Sequence, residues 1–224
     1  MFKSRARSVN IPQAEHARLS GIIANAWGNA EFDVPEFSLE SFVKGVTFHD
    51  RGYGRLDNYP LGELSEKTWL EIHQRSADVQ FSDTQAELVV QLQLKRLVAY
   101  NLTPERKRYV EERETFIQQL ANSHGLQLDK FVWADHITHF CDNVSFDFCF
   151  EETKDSFVMV FKRYKDSAAI DLKFSIKANG VIEFDPWPLN CPKLESFIVG
   201  YSADKYPQTL EPVMIPIRIK PKNG

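Results

Sequence analysis

Two periods divide the chain. From residue 10 to about 150, apolar residues recur every three or four positions, the spacing of one face of an α-helix. Leu19, Ile22, Ile23, Ala26 and Trp27 follow Asn10 and Pro12 and stop at Gly28, which predicts a first helix. Leu39, Phe42, Val43 and Val46 predict a second, capped by Ser38 and ended by Gly52 and Gly54. Ser65 opens a third that runs towards Asp78, and Ser82 with Gln85 reads as a capping box before a fourth over Leu88–Tyr100. Thr103-Pro104-Glu105 starts a long charged helix that reaches His124-Gly125, and residues 129–150 form the last. Beyond residue 153 the period drops to two. Ile170, Leu172, Phe174 and Ile176 alternate with Asp171, Lys173, Ser175 and Lys177, and Val213, Ile215, Ile217 and Ile219 alternate as cleanly. Asn179-Gly180 predicts a type I′ hairpin before Val181–Phe184. Pro216 predicts an edge strand, because proline has no N–H to give a ladder. The expected architecture is α+β and mainly α: a helical domain over 1–153, then a small antiparallel β unit over 154–224 packed on it.

Polar residues interrupt the apolar stripes at three places. The stripe Leu19, Ile23, Trp27 continues backwards to His16, and the stripe Leu39 to Val46 continues onto His49 and Asp50. In the last helix Ile137, Phe140, Cys141, Val144 and Phe148 form one stripe, and Asp135, His139, Asp142 and Phe146 form a second. Phe131, Phe146 and Cys149 suggest that this second side is covered too, which turns Asp142 inward while Asp135 and His136 stay solvated. A lone histidine on an apolar face is ordinarily a hydrogen-bonded core residue. Three helices that each carry an inward His or Asp are a different matter, because buried charge is costly unless it is paired or binds a metal. Two His and two Asp offer nitrogen and oxygen donors suited to Mn, Fe, Zn, Ni or Co more than to Ca.

Charge and cysteine usage narrow the setting. Lys+Arg 27 against Asp+Glu 31 gives a net charge of −4, which argues against a general nucleic-acid binder. Lys95-Arg96 and Arg106-Lys107-Arg108 are interleaved with acids and read as solvated faces. No apolar run approaches the ~18 residues of a spanning helix, so no membrane partner is expected. The early basic residues Lys3, Arg5 and Arg7 lead into Asn10 and Pro12 rather than an apolar signal segment. Cys141, Cys149 and Cys191 are sparse, odd in number and without a CxxC pair, which fits a reducing cytoplasm.

Several segments carry a resemblance: Gln13-Ala14-Glu15-His16-Ala17-Arg18-Leu19-Ser20-Gly21, Trp27-Gly28-Asn29, and His49-Asp50-Arg51-Gly52-Tyr53 followed by Asp57 and Pro60. Asp142 with Ser145, and Asp185-Pro186-Trp187-Pro188, continue it. Together they resemble an uncharacterised bacterial family, domain of unknown function 3891. The order His, His-Asp, Asp on successive helices is similar to the HD superfamily of metal-dependent phosphohydrolases. That resemblance implies an HD-like helical core, with His16, His49, Asp50 and Asp142 as metal ligands and Asp50 bridging if two ions bind. It also implies metal-assisted hydrolysis of a small phosphorylated molecule, a nucleotide or related phosphoester. Asp57, in a Gly- and Pro-rich loop, is a candidate general base or supporting carboxylate, with a turn residue as the plain alternative. Arg51 and Arg18 are candidate phosphate contacts, and His139 is a candidate extra ligand. The Asp185–Pro188 motif reads as a rigid turn, with Trp187 a possible lid. Gln93 stands where the resemblance places a His, which argues against a second metal, and the strands it places before the first helix are nearly absent. Two further readings stay open: an iron oxygenase of the same type that draws on His73 and His139, and a non-catalytic protein of the same fold that binds a metal or small molecule.

Overall fold

Capping chemistry sets most helix starts. In the computed structural model, which describes residues 1–4, 6–54, 57 and 59–222, the chain runs β1 (Phe2–Lys3), β2 (Val9–Ile11), α1 (Gln13–Asn25), α2 (Leu39–Thr47), α3 (Glu66–Asp78), α4 (Thr84–Ala99), α5 (Pro104–Ser123) and α6 (Leu128–Phe150). Strands β3 (Asp155–Val160), β4 (Ile170–Ile176), β5 (Val181–Asp185), β6 (Leu194–Ser202) and β7 (Pro212–Pro221) follow. Arg5, one of the early basic residues, lies outside the described residues. Ser38, Ser65 and Thr103 each accept a hydrogen bond from a backbone N–H three residues on, as their sequence contexts predict. The fourth helix corrects its expected cap: Asp83, not Ser82, accepts from the Ala86 N–H.

The β region departs further from expectation. The HD-like helical core followed by a small antiparallel sheet is not what the chain builds. The sheet has seven strands in the order β1-β2-β6-β7-β5-β4-β3, is curled into a half-barrel, and is mixed, because β5 and β7 run parallel. Two of its strands precede the first helix. They are short, with five residues between them that carry no period, so alternation could not reveal them. Their order comes from tertiary pairing, since Val9 and Asn10 lie opposite Ser202 and Tyr201 of β6.

Pro216 is also placed differently. Strand β7 is central, not an edge. Pro216 pairs with Phe197 of β6, but β5 pairs with β7 only from Arg218 onward. The proline therefore sits where β7 has one neighbour, and the missing N–H breaks no second ladder. The hairpin at Asn179-Gly180 forms, but not as type I′. That turn needs two left-handed residues, and only Gly180, at φ 77°, is left-handed there. Lys177 N–H bonds Val181 O and Gly180 N–H bonds Lys177 O, the pattern of a three-residue loop with its glycine at the bulge.

Helix α6 lies at the centre, packed against α1, α4 and strands β1, β3 and β4. Its stripe Ile137, Phe140, Cys141, Val144 and Phe148 is buried. On its other side Asp142 is buried, while Phe146 is 42% exposed and breaks the expected cover. The Trp27-Gly28-Asn29 and Pro186–Pro188 motifs meet: Gly28 N–H bonds Pro188 O and the Asn29 amide bonds Trp187 O. Trp187 bonds Cys191 O through its indole N–H, so it belongs to this turn and is not a lid. Among the described residues, no helix is long and apolar enough to cross a membrane.

Candidate metal centre

Four side chains from three helical segments gather around the paired imidazoles of His16 and His49. His16 comes from the second turn of α1, His49 and Asp50 from the segment just after α2, and Asp142 from the middle of α6. His16 Nε2 and His49 Nε2 are 3.3 Å apart. Asp142 Oδ1 lies 3.0 Å from the first and 3.3 Å from the second, and Asp50 Oδ2 lies 3.6 and 3.5 Å from them. Ligand atoms ~2.0–2.2 Å from a common ion stand roughly 2.8–3.6 Å from their neighbours at tetrahedral or octahedral angles. His16, His49 and Asp50 have ligand atoms all within 4.8 Å of one another and form the group that could hold a metal ion; Asp142 lies outside that group, although its Oδ1 adjoins both nitrogens.

The hydrogen bonds behind the ligands set the ring orientation. His49 Nδ1 donates to Val46 O at 2.7 Å, which leaves Nε2 as the lone-pair atom of a neutral ring. Ser145 gives its hydrogen to the Asp142 carbonyl at 2.9 Å, and its oxygen accepts from His16 Nδ1 at 2.7 Å. Ser145 is itself held by Ser20 at 2.6 Å. Both Nε2 atoms therefore face each other and two carboxylates. Such a set of acceptors needs a cation between them, either a proton or a metal. The donor chemistry fits a divalent ion, with two neutral imidazoles and two negative charges.

The protonation of the metal-free cluster follows the same logic. Burial pushes His49 down, but the charge of Asp50 and the hydrogen bond to Asp142 outweigh it and hold the imidazole at about 9 against an ordinary 6.5. Burial pushes Asp142 up, but bonds to His16 and His49 hold it well below the usual carboxylate range. A raised His contributes stability that is complete below pH 6.5 and is lost as pH rises through its folded pKa. The depressed Asp142 contributes stability above the ordinary carboxylate pKa, lost only as pH falls through its own. Metal-free protein is thus expected to lose on the order of a few kcal/mol between pH 6.5 and about 9. Urea unfolding at fixed temperature reads this, and a midpoint that does not fall across that window would show that His49 is not charged in the fold.

The remaining predicted site residues have other partners. Asp57 accepts from the Gln13 N–H with both oxygens, at 2.9 and 2.8 Å. It does for α1 what Pro12, with no capping side chain, cannot do. Asp57→Ala is expected to cost about 1–2 kcal/mol of stability, the range of a lost helix cap, with metal affinity little changed; calorimetry of unfolding beside a metal titration checks this. Arg51 makes a two-pronged bond to Glu87, at 3.0 and 2.7 Å, and a third to Ser76 O. Arg18 is held by Glu15 and by Phe197 O. His139 does not join the donor set; burial and the nearby Arg96 push it down to about 4.

Four further residues lie near the centre, of which the sequence offered only His73 as a ligand, in the oxygenase reading. His73 is buried, donates from Nδ1 to Trp69 O, and is pushed down chiefly by burial, with the charges of Asp50 and His49 also acting on it. Tyr53 is buried, and burial and Asp50 push its hydroxyl pKa up. Gln13 is buried and keeps its Oε1 without a hydrogen-bond partner. Gln93 donates to Asp142 Oδ2 at 2.7 Å; the two amides Gln91 and Gln93 inside the apolar run Leu88–Leu94 were the available signal.

No curated protein and no solved structure matches the chain. A family model does, over residues 2–203, a span that includes β1, β2, all six helices and each of the four converging side chains. The chain belongs to the family described as "Protein of unknown function (DUF3891)".

Proposed function

We propose that the protein is a metal-dependent hydrolase of a small phosphorylated molecule, a nucleotide or related phosphoester. The observation that carries this reading is the meeting of two imidazole Nε2 atoms, each with its Nδ1 hydrogen-bonded behind it, with two carboxylates. His16, His49, Asp50 and Asp142 would hold the ion, and the donor set suits Mn, Fe, Zn, Ni or Co. When bound, such an ion supplies a Lewis acid that polarises a phosphoryl oxygen and makes water nucleophilic near neutral pH. The residues of the chain do the rest. Asp50 and Asp142 balance the charge, Val46 O and Ser145 orient the imidazoles, and the Tyr53 hydroxyl offers a polar group on the Asp50 side.

A second reading has its own support. The four donor side chains are only 1–11% exposed, and both arginines expected to meet phosphate are engaged elsewhere. Closed sites hold metal for structure, whereas catalytic sites keep a position open. A protein that binds a metal without turnover fits those facts. Elemental analysis of the purified protein, then a screen of nucleotides and phosphomonoesters after reloading with Mn, Fe, Zn, Ni or Co, separates them. Metal with phosphoester hydrolysis supports the hydrolase. Metal without turnover supports the binding protein, and iron with oxygen consumption points to an oxygenase instead.

A further inference from the structure

Gln93 is wholly buried in α4, and each end of its carboxamide has a charged neighbour. Its Nε2 donates to Asp142 Oδ2 at 2.7 Å. Its Oε1 accepts from Arg96 Nη2, one turn along the same helix. The orientation of the amide is forced by chemistry. A guanidinium only donates and a carboxylate only accepts, so the oxygen must face Arg96 and the nitrogen must face Asp142. Arg96 is anchored in turn by Asp135, at 2.9 Å from Nε, two turns before Asp142 on α6. Arg96 is therefore not part of a solvated face: its side chain is 22% exposed and bound at both ends.

We infer that Arg96 and Gln93 form a positioning relay for the metal centre: Arg96 fixes the amide, and the amide holds Asp142 Oδ2 so that Oδ1 is the oxygen presented to His16 and His49. The inference rests on the metal reading above and adds two residues to it, neither of which touches the donor nitrogens. The relay also occupies the second oxygen of Asp142 with a neutral donor. That oxygen is thereby withheld from chelation or from bridging to a second ion.

The test uses the full chain and three variants, Gln93→Leu, Arg96→Met and the double variant, with Arg96→Lys as the conservative control. Divalent affinity is measured by chelator competition with Zn²⁺ and Mn²⁺, beside the thermal unfolding midpoint of each metal-free protein. Loss of an outer hydrogen bond to a metal ligand typically weakens binding ~10–100-fold, and that range is expected for Gln93→Leu. Arg96→Met is expected to weaken binding by less, with Arg96→Lys between it and the parent. Because Arg96 acts through Gln93, the double variant should bind within about twofold of Gln93→Leu alone. Parent-like affinity in Gln93→Leu, or losses that simply add in the double variant, would overturn the relay.

A second readout separates this from failure of the metal reading. In metal-free protein the imidazole ¹H–¹⁵N signals of His16 and His49 report where Asp142 Oδ1 sits. They should move in Gln93→Leu and in Arg96→Met, and move no further in the double variant. If the parent protein takes up no divalent ion, the metal reading fails while these signals still decide the relay; if they do not move in Gln93→Leu, the relay fails too.

Discussion

Asp50→Ala is expected to weaken divalent-ion binding by more than about a hundredfold and to abolish any hydrolysis, while leaving the far-ultraviolet helical signal unchanged. Asp50 lies just past the end of α2, so its carboxylate is not part of the helix; it faces the two Nε2 atoms at 3.6 and 3.5 Å. Its removal leaves one carboxylate to balance a divalent charge in a buried site. A further consequence appears without metal. Asp50 is the largest of the contributions that raise His49, so in the variant the imidazole should fall from about 9 towards its ordinary value or below it. Elemental analysis, turnover on the best substrate and the histidine titration measured by NMR check the three parts. Full metal retention in the variant would reject the centre as described.

Arg51→Met is expected to cost about 3–5 kcal/mol of folding stability. The pair Arg51–Glu87 is only 6% and 2% exposed. Glu87 also accepts from the Phe81 N–H and from the Gln91 amide, at 2.8 and 2.6 Å, and Arg51 lies over the Phe81 ring at 4.6 Å. Removing the guanidinium leaves Glu87 as a buried charge with neutral donors only. The double variant with Glu87→Met is expected to recover most of the loss, because an apolar pair of similar volume carries no desolvation penalty. Urea unfolding of both variants decides the matter. A variant as stable as the parent that fails only in substrate binding would return Arg51 to the role of phosphate contact.

These two residues are neighbours in sequence and opposite in role, and nothing local distinguishes them. His49-Asp50-Arg51 reads as one polar cluster after an apolar stripe. Asp50 faces His16 of α1, whereas Arg51 reaches Ser76 of α3 and Glu87 of α4, and only the packing of these segments assigns them. The same holds for Asp57: a carboxylate in a turn becomes the cap of a helix whose own N-cap is proline.

Local chemistry in the chain was sufficient for the helices and for the suspicion of a buried polar centre. Side-chain caps at Ser38, Ser65 and Thr103 act within three residues, and helical period is a property of one segment, so both are written in order along the chain. His16, His49 and Asp142 stood out because each interrupts an apolar stripe, and burial of a polar group has a cost wherever its partner lies. Tertiary structure alone decided the rest. Strands of two and three residues carry no period; β2 forms because β6 supplies a ladder, and β1 pairs in turn with β2. The approach of α1 to α2 depends on Gly21, where a Cβ would stand 2.0 Å from Thr47 Oγ1; a glycine in a helix does not announce which helix will press against it. Whether Asp57, Arg51 or Gln93 serves a ligand, a cap or an ion pair depended on partners tens of residues away. A hydrogen bond or a salt bridge is defined by two ends in space, and the sequence places only one of them at a time.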